Sequence, residues 1–194
     1  IKLDDETQHM LLSSVLEETD RLASLVTKVL DMSKLEAGTW EPEKEHCHIA
    51  DILNEALERQ KWIGKKHIFE TYLEPDLPEV YADYIQIRQV LVNLLENAAA
   101  YSEEGTKITV TAKSVNGRIR VSVSDQGVGI PQEDLRKIFD KFYRGTQKRR
   151  IPGGAGLGLA ICKNLVEFMG GQIWLRSPGP DAGTTVYFTL PRVS

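Results

Sequence analysis

Cysteine is nearly absent from this sequence: Cys47 and Cys162 are the only two among 194 residues. Two thiols so far apart, in unrelated contexts, argue against a disulfide framework and favour free thiols in a reducing compartment. Long apolar runs are missing too. None approaches the roughly 18 residues needed to cross a bilayer, and no basic-then-apolar leader opens the sequence. The piece is therefore expected to be soluble and cytoplasmic and to make no membrane contact itself, which leaves open whether a longer parent is anchored in the cell membrane. Positive charge has no dominant block, and the formal net charge is −4. A general nucleic-acid-binding surface is thus not suggested, and any polyanion site must be local. His46-Cys47-His48 resembles a metal cluster only on paper. Adjacent residues on an extended chain point to opposite faces, and no second cluster completes a coordination sphere.

What is present describes a globular protein. With 41% hydrophobic and 27% charged residues, the chain can bury one core, as one domain plus an appendage. Gly and Pro are absent from Asp4 to Glu36, where Leu11, Val15, Leu22, Leu25, Val29 and Met32 recur at three-, four- and seven-residue steps. That spacing predicts one long amphipathic helix whose stripe, widened by Leu12 and Val26, needs a partner helix. Gly38 ends it, and Thr39 to Pro42 reads as a linker.

Beyond the linker, Ile49 to about Trp62 suggests a shorter helix, and Ile68–Leu73 and Val80–Ala82 suggest short strands around the Pro75 and Pro78 turns. A strong helix is predicted from about Tyr84 to Tyr101, with Ile87, Val90, Leu91, Leu94, Leu95 and Ala98 on its buried side. Lys107 to Ser114 and Arg118 to Asp125 alternate as strands, and Asn116-Gly117 supplies a tight hairpin turn. Gln132 to Tyr143 reads as a short helix, Arg144 to Gly156 as a long polar loop, and Leu157 to Met169 as a helix. Gln172 to Arg176 and Thr184 to Leu190 close the chain as strands. The sum is an α/β layer domain with helices over one face of a mixed sheet.

Three stretches carry chemistry. Asn93 and Asn97 stand four apart on one helix face, beside the apolar stripe, where two amides can ligate a cation. Asp125-Gln126-Gly127-Val128-Gly129-Ile130-Pro131 puts a carboxylate at a strand end and two glycines in the turn after it. Such a carboxylate can accept a proton from an exocyclic amine while the glycines allow close backbone approach. Gly153-Gly154-Ala155-Gly156-Leu157-Gly158-Leu159-Ala160-Ile161 is a glycine-rich loop running into a helix, suited to phosphate oxygens. It lacks the Lys-Ser/Thr ending of a P-loop, and it does not follow a strand as a dinucleotide fold requires.

Taken in order, the Asn-x-x-x-Asn helix, DxGxG, the FDKFYR segment at Phe139 to Arg144, GxGLGLAI and Gly183-Thr184-Thr185 resemble the N, G1, F, G2 and G3 boxes of sensor histidine kinases. Arg21-Leu22 and Leu30 to Gly38 resemble the second helix of that family's dimerisation and histidine-phosphotransfer hairpin, with a fainter likeness to the KdpD-like, potassium-responsive group.

The resemblance implies an α+β architecture, the Bergerat ATP-binding sandwich shared with Hsp90, type II topoisomerases and MutL. The implied domains are the hairpin's second helix over residues 1–38, a linker over 39–48 and the catalytic ATP-binding domain over 49–194. It implies ATP and Mg²⁺ as cofactors, a homodimer through the hairpin and a cognate response regulator. Asp125 would hold the adenine amino group, with Gly127, Gly129 and Ile130 shaping the pocket and Tyr101 lining it. Asn97, helped by Asn93, would ligate Mg²⁺, and Lys141 and Arg144 would neutralise phosphate charge. Gly154, Gly156, Leu157 and Gly158 would wrap the phosphates, and Thr184 or Thr185 would close the floor.

Two departures stand out. Where many members read NAxKY, this chain reads Asn97-Ala98-Ala99-Ala100-Tyr101, so Lys141, Arg144 or the loop cations Lys148, Arg149 and Arg150 are expected to take over the missing lysine's role. The family's acceptor is a histidine followed by an acidic residue, and none of His9, His46, His48 and His67 matches it. The acceptor is therefore expected to lie outside this fragment, which alone would not autophosphorylate. Two alternatives remain: a Bergerat-fold ATPase of the Hsp90 or MutL kind, or a nucleotide-sensing module. The ATPase usually carries Glu at the position of Asn93, and an amide cannot take a proton from water.

Overall fold

The computed structural model of the chain describes residues 4–38, 40–63, 67–145 and 155–193. It divides into two compact units, Ile1–Trp40 and Glu41–Ser194. The first holds α1 (Asp5–Glu36), which starts where Asp4 accepts the Thr7 N–H at 2.6 Å and is followed by Gly38 at φ +62°. These are an N-terminal cap and a left-handed stop. Of the stripe read from the sequence, Leu11, Leu12, Val15, Leu22, Val26 and Val29 are exposed on α1, whereas Leu25 is half-buried and Met32 is buried.

The second unit runs β1 (Glu45–Cys47), α2 (Ile49–Ile63), β2 (Ile68–Leu73), β3 (Val80–Ala82), α3 (Tyr84–Tyr101), β4 (Lys107–Val115), β5 (Arg118–Ser124), α4 (Gly158–Phe168), β6 (Gln172–Arg176) and β7 (Thr185–Pro191). Five strands form one mixed sheet in the order β2-β4-β5-β7-β6, parallel between β2 and β4 and antiparallel elsewhere. Asn116 at φ +52° and Gly117 at φ +74° turn the β4–β5 hairpin, the two left-handed conformations that match strand twist. Alternation then sends Ile108, Val110 and Ala112 of β4, Ile119, Val121 and Val123 of β5, and Phe188 and Leu190 of β7 into the core. There they meet the apolar faces of the helices. Ile87, Val90, Leu91, Leu94 and Leu95 make α3 the central helix, packed between α2 and α4 and against β4 and β5.

Two local features differ from expectation. Residues read as linker contain β1, which pairs antiparallel with β3 through Glu45↔Ala82, His46↔Tyr81 and Cys47↔Val80. Residues 132–142 form successive turns rather than a helix. Their backbone bonds mix three-residue steps, such as Lys137 N–H to Asp134 and Asp140 N–H to Lys137, with the four-residue step from Ile138 to Asp134. Phe142 at φ +60° breaks any continuation, because a helix cannot contain a left-handed residue.

Candidate functional site

The end of β5 delivers Asp125 to the edge of the helical layer. Its Oδ1 accepts the Gly127 N–H at 2.9 Å and the Thr184 N–H at 3.1 Å, while its own N–H donates to the Thr184 carbonyl at 2.9 Å. Burial pushes its carboxyl above the ordinary aspartate range, against the pull of those two donors. Oδ2 has no partner among the described residues. The result is a half-buried carboxylate, fixed through one oxygen and available through the other.

The loop around it tolerates no side chains at its tightest points. A Cβ on Gly127 would stand 2.3 Å from the Tyr101 carbonyl oxygen, and one on Gly129 would stand 1.9 Å from that of Gly179. The backbone is therefore in direct contact, fastened by Val128 N–H to Tyr101 O at 3.2 Å, Gly183 N–H to Gly127 O at 3.0 Å and Asp181 N–H to Val128 O at 2.7 Å. Ser177, which the sequence reading missed, is buried here; its hydroxyl donates to the Gly183 carbonyl at 2.8 Å and accepts the Ile130 N–H at 2.8 Å. Its only sequence signal is a serine after β6 in a Pro- and Gly-rich turn.

On α3 the two amides differ. Asn93 is within the buried face, not beside it, at 2% exposure, with its Oδ1 accepting from Gln89 at 3.4 Å and its Nδ2 without a partner among the described residues. Asn97, one turn on, is half-buried, and its Nδ2 is 3.8 Å from where a Gly158 Cβ would stand. The structure thus brings Asn97 to the first turn of α4. Leu157, just before that turn, is buried in the core, and Tyr101 is 38% exposed at the end of α3.

The remaining expected residues fall into three groups. Gly156 at φ +68° joins the FDKFYR segment, its carbonyl accepting the Phe142 N–H at 2.9 Å; Lys141 and Arg144 of that segment are exposed. The two threonines part company: Thr184 brackets Asp125 through its backbone, whereas the Thr185 hydroxyl pairs with Ser124 at 2.8 Å on the opposite sheet face. Gly154, Lys148, Arg149 and Arg150 lie outside the described residues.

These features suit a purine nucleotide with a hard cation. An available carboxylate oxygen can accept an exocyclic amine, and glycine-only backbone permits a flat ring to approach. The unpartnered buried amide of Asn93 lies one helical turn from Asn97, whose oxygen is a hard donor of the kind Mg²⁺ prefers. Among the described residues there is no group of three or more His, Cys, Asp or Glu able to hold a metal, so a cation here would rely on amide oxygen, water and ligand phosphate.

Comparison with known proteins points the same way. The family model described as histidine kinase-, DNA gyrase B- and HSP90-like ATPase matches residues 82–194. The sensor histidine kinase WalK of Bacillus subtilis is 37% identical over 178 residues, which cover 90% of this chain and 29% of WalK. The chain therefore spans less than a third of that relative. Full-length ShkA in complex with AMPPNP matches with a TM-score of 0.82 at 29% identity, covering 100% of this chain and 40% of ShkA. Histidine kinase ThkA in complex with the response regulator protein TrrA matches with a TM-score of 0.76 at 28% identity, covering 99% of this chain and 53% of ThkA.

Proposed function

The chain belongs to the histidine kinase-, DNA gyrase B- and HSP90-like ATPases, and from that premise we propose that it is the ATP-binding catalytic part of a sensor histidine kinase. The observation that carries this reading is Asp125, held on Oδ1 by two backbone donors and free on Oδ2 to take the adenine amine. Gly127 and Gly129 admit the ring, Tyr101 lines its edge, and Thr184 closes the floor. Asn97, with Asn93 one turn before it, would hold Mg²⁺, which would supply charge shielding to the phosphates. Lys141 and Arg144 supply the positive charge that Ala100 cannot.

The reaction breaks the bond between the γ-phosphorus and the oxygen of the leaving ADP, and forms one between that phosphorus and an imidazole nitrogen supplied from outside these 194 residues. The phosphohistidine then serves a cognate response regulator, in a protein that dimerises through the hairpin to which α1 contributes. We place this activity in the cytoplasm, where ATP is available and where Cys47 and Cys162, both buried and neither in a disulfide, stay reduced. Among the described residues no helix is long and apolar enough to cross a membrane.

The test pairs calorimetric ATP binding, with and without Mg²⁺, with a steady-state assay of released phosphate. Mg²⁺-dependent binding with negligible hydrolysis is expected, because Asn93 offers an amide where a hydrolase needs a base. Asn97→Ala should remove the Mg²⁺-dependent part of affinity and spare the rest. Steady turnover of ATP by water would favour the ATPase reading instead.

A further inference from the structure

A buried carboxylate outside the pocket needs an explanation. Asp134 is 2% exposed, locked in the turn after Pro131 by its own N–H to the Pro131 carbonyl at 3.0 Å and by its carbonyl, which accepts from Lys137 at 2.9 Å and Ile138 at 3.0 Å. Removing a carboxylate from water is expensive unless its oxygens are engaged. The Tyr143 hydroxyl donates to Oδ1 at 2.6 Å, a short bond of the charge-assisted kind. The other, Oδ2, faces Gly145, where a Cβ would stand only 2.8 Å away. One buried side chain therefore bonds Tyr143 and lies close against Gly145, the residues flanking Arg144.

The gripped segment leads on to the pocket. Phe142 adopts φ +60°, a conformation that bulky residues rarely take without being held. Its N–H donates to the Gly156 carbonyl at 2.9 Å, and a Cβ on Gly156 would stand 2.7 Å from both the Phe142 carbonyl carbon and the Tyr143 oxygen. Two stretches of bare backbone thus lie against each other. Two residues on, Gly158 opens α4 beside the Asn97 amide. A continuous line of contacts runs from Asp134 through Tyr143 and Phe142 to Gly156, and along the chain to Gly158 and Asn97.

We propose that Asp134 is a positioning residue for the phosphate end of the nucleotide site, acting through Tyr143 and Gly145 to hold Gly156 and Gly158 in register with Asn97. The inference rests on the nucleotide-binding reading above. The Asp134 side chain leads to Tyr143 and Gly145, towards Gly156, and only its backbone N–H reaches back to Pro131, so changes to the side-chain contacts act on the phosphates rather than on adenine.

The experiment measures the affinities of Mg·AMPPNP and of adenosine for the chain, by calorimetry, in the unsubstituted protein and in Tyr143→Phe and Gly145→Ala. Tyr143→Phe removes one hydroxyl and should weaken Mg·AMPPNP binding about tenfold, as loss of one charge-assisted hydrogen bond predicts, while adenosine binding changes less than about twofold. Gly145→Ala drives a methyl at the Asp134 carboxylate and should act in the same direction. Asp134→Asn keeps an oxygen for Tyr143 and should cost less than Tyr143→Phe. A merely structural bond would move both ligands together, so equal losses, or no loss in either variant, overturn the proposal. Failure of the unsubstituted chain to bind either ligand would overturn the nucleotide reading itself, a different result from normal binding with an unchanged ratio.

Discussion

At the scale of single residues, Asp125 is set up to be useful only as an anion that the fold resists. Burial raises its pKa, so its contribution to stability is largest when it is protonated and is lost as pH rises through the folded-state pKa. On the proposed reading adenine binding runs the other way, because an exocyclic amine needs the ionised acceptor. Nucleotide affinity should therefore decline on acidification sooner than an ordinary aspartate would dictate, and Asp125→Asn should abolish that part of the pH profile while weakening ATP binding by roughly 2 kcal/mol at neutral pH. Calorimetric titrations from neutral pH downward check both statements; a pH profile shared by the substituted and unsubstituted chains would remove Asp125 from the adenine contact. Asp125 was legible in the sequence because a carboxylate before two glycines is a local pattern. Its partner Thr184 and the clamp Ser177 were harder to read, since the one contributes a main-chain N–H from 59 positions away and the other a lone hydroxyl with no flanking motif.

At the scale of elements, α3 carries the site, and its start depends on one capping side chain. Asp83 is buried, and both carboxylate oxygens are used: Oδ1 accepts the Gln86 N–H at 3.1 Å, closing the first turn, and Oδ2 accepts the Glu43 N–H at 3.0 Å, tying down the segment that leads to β1. Asp83→Ala should lower the unfolding free energy of this unit by roughly 2 kcal/mol, a cap plus an orphaned backbone donor. Asp83→Ser, which keeps a capping oxygen but cannot also reach Glu43, should lose about half as much. Urea denaturation followed by far-ultraviolet circular dichroism measures both, and equal losses would show that the Glu43 tie, not the cap, matters. Elements set by periodicity were readable: α3, β2 and β6 appear where spacing predicted them, and β3, too short for a period, appears where the Pro75 and Pro78 turns marked it. The β1 strand was not, because three residues carry no period and its reason for being extended is the pairing with β3. The turns at residues 132–142 look helical in composition, yet the engagement of Asp134 with Tyr143 and Gly145 and the left-handed Phe142 override that local preference.

At the scale of the whole molecule, binding and transfer separate. On the proposed reading the pocket supplies a bound nucleotide; phosphoryl transfer also requires an imidazole in line with the γ-phosphorus, and positioning of that kind governs the rate. None of the four histidines meets this need by sequence context, and the structure gives three of them other surroundings. His46 and His48 both engage Glu79, at 3.0 Å and 3.3 Å, beside the β1–β3 pair, and His67 lies 3.5 Å from the Thr106 hydroxyl at the start of β4. His9 is exposed on α1 and is followed by Met10-Leu11-Leu12 in place of the acidic residue expected after an acceptor. The exposed Leu11, Leu22, Val26 and Val29 stripe of α1 is a surface that a partner helix would cover. The 194-residue chain incubated with γ-labelled ATP and Mg²⁺ is accordingly expected to bind nucleotide without becoming labelled. Adding a separate chain that carries the family's acceptor helix should place an acid-labile label on the added chain, and Asp125→Asn should reduce that labelling in step with its loss of ATP affinity. Acid-labile label on this chain alone would identify one of its own histidines as the acceptor. Binding without labelling of either chain would mean that this pocket holds ATP for a purpose other than phosphoryl transfer.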